Sequence, residues 1–295
     1  MAAVGTVSPP PEAMRRGVSR GVFVATVVIV AIIALAGGMY VGKTVLGSSS
    51  SSSSSPYLVV GTNVPFPPFE SFNNTTGTYV GFDMNFSQMI ANALHRTLVI
   101  DNYADFGILL SDVGAGVIDM AASSITESGA VGAQRNSTMS FSIPYYDANQ
   151  AILVKTGSKL VCPTVADGGC GVAQLAALTI GVQSGTSSLF WCQSYLIPNE
   201  TKGGQVEQFT TVDTEIDLLL TGSLQAVMID LGPATAIAGD NPGSITLAGE
   251  VLTNELYGFA VAHGDPEHIL PTINSVITQS EQNGTYDKLI HEWFG

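Results

Sequence analysis

The chain has 295 residues, 45% of them hydrophobic and only 12% charged, which excludes a disulfide-held miniprotein and a chain left disordered by low hydrophobicity. Its 10 Lys and Arg stand against 24 Asp and Glu for a net charge of −14, a balance that repels phosphate backbones and excludes nucleic acid as a partner.

Residues 21–42 carry no charged side chain, and Arg15, Arg16 and Arg20 precede them. At about 1.5 Å rise per residue such a stretch spans the hydrocarbon core of a bilayer. The arginine bias makes residues 1–20 a cytoplasmic tail, residues 21–42 a transmembrane anchor, and everything after them extracytoplasmic. A cleavable signal peptide is the rival reading, because Ala34-Leu35-Ala36 resembles a processing site. Residues 43–55, with serine at every position from 48 to 55, form a flexible linker with a reach of roughly 20 Å. Gly37, Gly42, Lys43 and Thr44 fit a phosphate-loop pattern. Their context lacks the preceding strand and following helix which that chemistry requires.

Beyond the linker the chain keeps 6 of its 10 cations and 23 of its 24 acids, a net −17, and only two arginines, Arg96 and Arg135. Apolar runs rich in β-branched residues predict strands at 58–61, 97–100, 117–121, 151–154, 178–182 and 225–229. Phe86, Met89, Ile90, Ala93 and Leu94 form the apolar stripe of a helix that Asp83 is expected to cap. Asp265-Pro266-Glu267 predicts a helix start and Asn283-Gly284 a stop. This alternation over about 240 residues implies an α/β fold with parallel sheets and helices on both faces. Cys162 and Cys170 can pair outside the cell, leaving Cys192 as a buried or free thiol, and no spacing resembles a zinc site. Sequons begin at Asn73, Asn74, Asn85, Asn136, Asn199 and Asn283, consistent with a glycosylated surface. The low charge and a pI near 4.4 suit a surface exposed to acid.

A series of motifs runs from Leu58 to the C terminus. They are Val60-Gly61-Thr62-Asn63, Phe66-Pro67-Pro68-Phe69-Glu70, Val80-Gly81-Phe82-Asp83, Gly116-Val117-Ile118-Asp119, Phe141-Ser142-Ile143-Pro144-Tyr145-Tyr146, Gly181-Val182-Gln183-Ser184-Gly185-Thr186, Val227-Met228-Ile229-Asp230, Tyr257-Gly258-Phe259-Ala260-Val261 and Trp293-Phe294-Gly295. In this order they resemble the polar amino-acid-binding family of ABC-transporter solute-binding proteins. The membrane-and-serine prefix is one that such proteins show in some archaea. The resemblance implies a two-lobed periplasmic-binding-protein-like fold (Venus flytrap), here with an N-terminal transmembrane helix. Lobe 1 would comprise 56–148 plus 252–295, and lobe 2 would comprise 149–251. The implied partners are an amino acid, an ABC permease and its ATPase, with no cofactor.

By the same resemblance Arg135 forks onto the ligand carboxylate, a geometry that suits a planar guanidinium, and Asp230 receives the ammonium. The segment between Thr126 and Arg135 is longer than the family's, which disturbs the local register. Ser123, Ser124 and Thr126 would donate to the ligand, and Thr186 and Ser187 open a helix whose amides can meet an anion. Asn63, Phe66 and Gln183 would face the side chain. Each has a plainer alternative, a cap, a turn or a packing contact. With Asn63 where cation-selective members often carry an acid, a polar uncharged amino acid such as glutamine is the expected ligand. The enzymatic alternative is a cyclohexadienyl dehydratase-like protein on the same scaffold, with Glu70 or Asp230 as general acid. No nucleophile elbow or zinc helix is present.

Overall fold

The computed structural model describes residues 55–200 and 203–295. The anchor and the linker read from the sequence lie outside these residues, apart from Ser55. Among the described residues no helix is long and apolar enough to cross a membrane.

The first part of the chain forms β1 (Tyr57–Thr62), the hairpin β2 (Ser71–Asn73) and β3 (Thr78–Val80), helix α1 (Phe82–Ala93), β4 (Thr97–Asn102), α2 (Phe106–Gly114), β5 (Met120–Ala121), α3 (Gly129–Arg135) and β6 (Met139–Phe141). There follow β7 (Tyr146–Lys155), α4 (Val172–Leu175), β8 (Thr179–Gln183), α5 (Ser187–Trp191), β9 (Gln205–Phe209), α6 (Val212–Thr221), β10 (Ala226–Asp230) and α7 (Leu231–Asp240). The chain closes with β11 (Ile245–Tyr257), β12 (Ala260–Ala262), α8 (Leu270–Gln282) and α9 (Thr285–Phe294).

Two five-stranded sheets result, ordered β4-β1-β5-β12-β6 and β11-β7-β10-β8-β9. They are mixed, not parallel as expected. β4 and β5 flank β1 in parallel, but β12 runs antiparallel to β5 and β6. β8 is parallel to β9 and β10, whereas β7 is antiparallel to β10 and β11. The departure has a topological cause: β7 and β11 pair with each other from Tyr146↔Tyr257 at one end to Ile245↔Lys155 at the other, so the chain leaves and re-enters along one antiparallel ribbon. That ribbon is interrupted where β11 bulges between Val251 and Glu255, with Asn254 at φ 50°.

Helix α1 starts where Gly81 turns the chain at φ 139°; a Cβ there would meet the carbonyl oxygen of Phe69 at 2.0 Å. Phe82, Phe86 and Ile90 of α1 and Ile273 and Ile277 of α8 pack together on one face of the first sheet. Phe106, Leu109 and Val113 of α2 cover its other face. Tyr145 stacks on Phe259 at 4.2 Å, and Phe69 meets Tyr146 edge-on at 4.9 Å, a geometry aromatic quadrupoles favour. Around the second sheet, Leu175 and Leu189 pack on one side and Val212, Leu219 and Ala234 on the other.

Three local expectations are corrected. Asp83 does not cap α1: the helix begins at Phe82 and the Asp83 side chain is buried. The last long helix begins at Leu270, not at Asp265, because Asp265 at φ 51° folds back to accept from the amides of Ile269 and Leu270. The strand expected at 117–121 shrinks to two residues. Cys162 and Cys170 are disulfide-bonded and Cys192 is a buried free thiol.

Glu215 of α6 is buried against Gly181 with no partner for either carboxyl oxygen, and burial pushes its carboxyl up to about 9. A folded-state acid raised this far costs stability as pH climbs from its unfolded value near 4.5 toward 9. Glu215→Gln is therefore expected to match the wild-type thermal midpoint at pH 4 and exceed it at pH 8. A constant offset at both pH values would contradict the buried neutral acid.

Candidate functional site

Parallel strands of both sheets end on one region, and polar residues follow each apolar run. Asn63 follows β1; Ser123, Ser124 and Thr126 follow β5; Gln183 ends β8 and Asp230 ends β10. Thr186 caps α5, accepting from the Leu189 amide and donating to the Gln183 carbonyl, and Ser187 is the first helical residue. Arg135 is the last residue of α3. Strand C-terminal ends are where open α/β folds place ligands.

All ten predicted residues line one cavity: Asn63, Phe66, Ser123, Ser124, Thr126, Arg135, Gln183, Thr186, Ser187 and Asp230. Glu70 and Phe106 complete the wall. Its water-accessible space is ≈ 20 Å³, room for about one water molecule, so an organic ligand requires the walls to part. At the cavity, bonds span the sheets: Gln183 Nε2 donates to Asn63 Oδ1 at 2.9 Å, and Arg135 Nη2 donates to the Gly185 carbonyl at 3.0 Å.

Arg135 is buried, donates a second bond from Nη1 to the Thr126 carbonyl at 2.8 Å, and lies 5.6 Å from the ring centre of Phe106. Burial lowers its pKa to about 10, while Glu255 and Asp230 oppose that shift. Asp230 accepts from the Tyr257 hydroxyl and from Gln150 Nε2. Burial first, and the Glu255 carboxylate second, raise it to about 7.

The opposite wall holds Glu70, fully buried, with Ser123 Oγ donating to it at 2.9 Å and Ser124 Oγ reaching it at 3.5 Å. Burial, then neighbouring Asp83, push its carboxyl well above the ordinary range. Asp83 lies behind Ser124, whose φ of 49° is sparsely populated for a residue with a side chain. Asp83 accepts from the Ser124 amide at 3.0 Å and from the Tyr145 hydroxyl at 2.9 Å, and burial raises it to about 7. Asp83, expected as a cap, and Glu70, expected only as a dehydratase acid, both stand at this wall, and Phe106, Gln150 and Glu255 carry no sequence motif that marks them. Glu70 was recoverable from sequence, since it closes the motif that opens at Phe66. Among the described residues, no group of His, Cys, Asp and Glu is placed to hold a metal ion.

Two α/β bodies joined by an antiparallel strand pair, with a nearly closed polar cavity between their strand ends, define a two-lobed solute-binding clamp. Residues 58–295 match the bacterial extracellular solute-binding proteins, family 3, and the chain belongs to that family. The L-cystine-binding protein TcyJ of Escherichia coli strain K12 is 26% identical over 238 residues, covering 81% of this chain and 82% of the relative. An ancestral arginine-binding protein, solved with arginine and with glutamine, is 29% identical with a TM-score of 0.71 in both structures. In the arginine complex the match covers 81% of this chain and 99% of that one. The ancestral amino acid-binding protein AncCDT-1, a precursor of cyclohexadienyl dehydratase, is 26% identical with a TM-score of 0.67 over 81% of this chain and 96% of its own.

Removing the Asp83 carboxylate strands the Ser124 amide and the Tyr145 hydroxyl in the interior. Asp83→Ala is expected to lose about 2–4 kcal/mol, read as a lower urea midpoint. An unchanged midpoint would show that the buried carboxylate does not hold this turn.

Proposed function

We propose that the described part of the chain captures an amino acid between its lobes outside the cytoplasm and delivers it to an ABC permease and its ATPase. The observation that carries this reading is that Arg135 and Asp230, reaching in from different sheets, line the same small cavity. A zwitterion leaves water only where each charge meets a paired, hydrogen-bonded partner. Arg135 takes the carboxylate with Thr126, Thr186 and Ser187 around it, and Asp230 takes the ammonium. Ser123 and Ser124 stand beside them, and Asn63, Phe66 and Gln183 meet the side chain.

The lobes are assigned as 56–148 plus 252–295 and 149–251, with opening about the β7–β11 ribbon near its bulge. Residues 21–42 tether the clamp to the membrane through the linker at 43–55. Of the sequons, Asn74, Asn136, Asn199 and Asn283 are exposed and open to glycosylation. Asn85 accepts from the indole of Trp293 and is engaged in packing.

A polar uncharged amino acid with an amide end is the first reading for the side chain, and the glutamine-bound ancestral relative supports it. The fully buried Glu70 favours a second reading, because an acid at the cavity wall also suits a cationic end; cystine- and arginine-binding relatives keep both open. The dehydratase alternative draws on the likeness to AncCDT-1, but the carboxylates here are held by hydroxyl and amide donors.

Titration calorimetry with a panel of L-amino acids tests the reading. One or a few are expected to bind stoichiometrically, with Arg135→Ala and Asp230→Ala each weakening binding far beyond threefold. Wild-type-like affinity in Arg135→Ala removes the carboxylate assignment, and turnover of prephenate or arogenate with no amino-acid binding favours the enzyme.

A further inference from the structure

At the point where the two strands of the ribbon cross between sheets, Gln150 of β7 and Glu255 of β11 form a knot outside the ten residues assigned to the ligand. Gln150 Nε2, with two hydrogens, faces three acceptors: Asp230 Oδ1 at 2.9 Å, Glu255 Oε1 at 3.0 Å and Ser187 Oγ at 3.2 Å. Its carbonyl oxygen accepts from Ser188 Oγ. The second oxygen of Glu255 accepts from Thr126 Oγ1 at 2.6 Å. Gln150 is also register partner to Asp230 in the second sheet, which keeps the two side chains adjacent.

Glu255 thus touches Thr126 on the first-sheet side directly, and Asp230 and Ser187 on the second-sheet side through Gln150. It follows the bulge whose Asn254 adopts φ 50° and donates its amide to Asn149 Oδ1 at 3.0 Å. The bulge aims Glu255 inward, since one extra unpaired stretch re-aims the next side chain. Glu255 is also the first of the anionic neighbours acting on buried Arg135.

We infer that Glu255 is a positioning residue for amino-acid capture: its two oxygens fix the groups that receive the ligand's opposite ends, from the strand about which the clamp opens. This inference rests on the amino-acid reading given above. The charged and titratable groups around the knot are Arg135, Asp230 and Tyr257, and Asp230 in turn raises Glu70 on the opposite wall. Because Asp230 sits near 7, ammonium capture weakens as pH falls through that range, and a neighbouring anion holds the midpoint up.

The experiment is calorimetric titration of the full chain between pH 5 and 8, with the L-amino acid the wild type binds, on wild type, Glu255→Gln and Glu255→Asp. Glu255→Gln removes the charge, and its acid midpoint is expected to drop by about one pH unit. Glu255→Asp keeps the charge but cannot reach both Thr126 and Gln150; its midpoint is expected to hold while affinity falls about tenfold. A purely structural role would move neither midpoint. A Glu255→Gln profile that superimposes on the wild type, or wild-type affinity in Glu255→Asp, overturns the inference. If Glu255→Gln does not fold, Glu255→Asp decides alone. A wild type that binds no amino acid refutes the clamp reading itself.

Discussion

One guanidinium held out of water between two sheets is the constraint around which the rest of this molecule is arranged. Arg135 is buried, and its hydrogen-bond partners are two backbone carbonyls, which satisfy hydrogens but not charge. The compensating anions, Glu255 and Asp230, stand on the crossing strand and on the second sheet. A buried cation with distributed counter-charge is poised for one more anion, provided that anion brings a cation of its own. The amino acid proposed above meets that condition.

The rest of the fold serves this arrangement. Aromatic rings from Phe69, Tyr146 and Tyr257 lock the base of the ribbon, so that Tyr257 can present its hydroxyl to Asp230. On the far wall, Asp83 holds Ser124 in a left-handed turn that turns its hydroxyl toward Glu70. The many buried acids and few cations make both walls sensitive to protons, consistent with a chain whose 24 acids outnumber its 10 bases.

Asp230 was legible because its signal is local, a polar side chain at the end of the apolar run from Ala226 that marks a strand end; Arg135 and the other cavity residues were reached through the order of motifs that carries the family resemblance. Mixed sheets were not legible, since antiparallel β7, β11 and β12 carry the same β-branched runs as parallel strands and direction leaves no trace in composition. Asp83 was misread because the first turn of a helix and its cap look alike in sequence; only its burial against Ser124, 41 residues away, separates them. Gln150 and Glu255 were invisible for the same reason, their roles residing in contacts 37 to 129 positions apart. The Asn63 argument against a cationic ligand was local too, and it passed over Glu70, whose carboxyl meets the cavity from seven residues further on.

If both ends of a zwitterion are gripped at once, altering the ligand tests the grip more cleanly than altering the protein. Competition calorimetry with the bound L-amino acid, its N-acetyl derivative and its α-methyl ester separates the two ends. Blocking either end is expected to abolish binding; a blocked form that binds as tightly as the parent amino acid would contradict the two-ended grip.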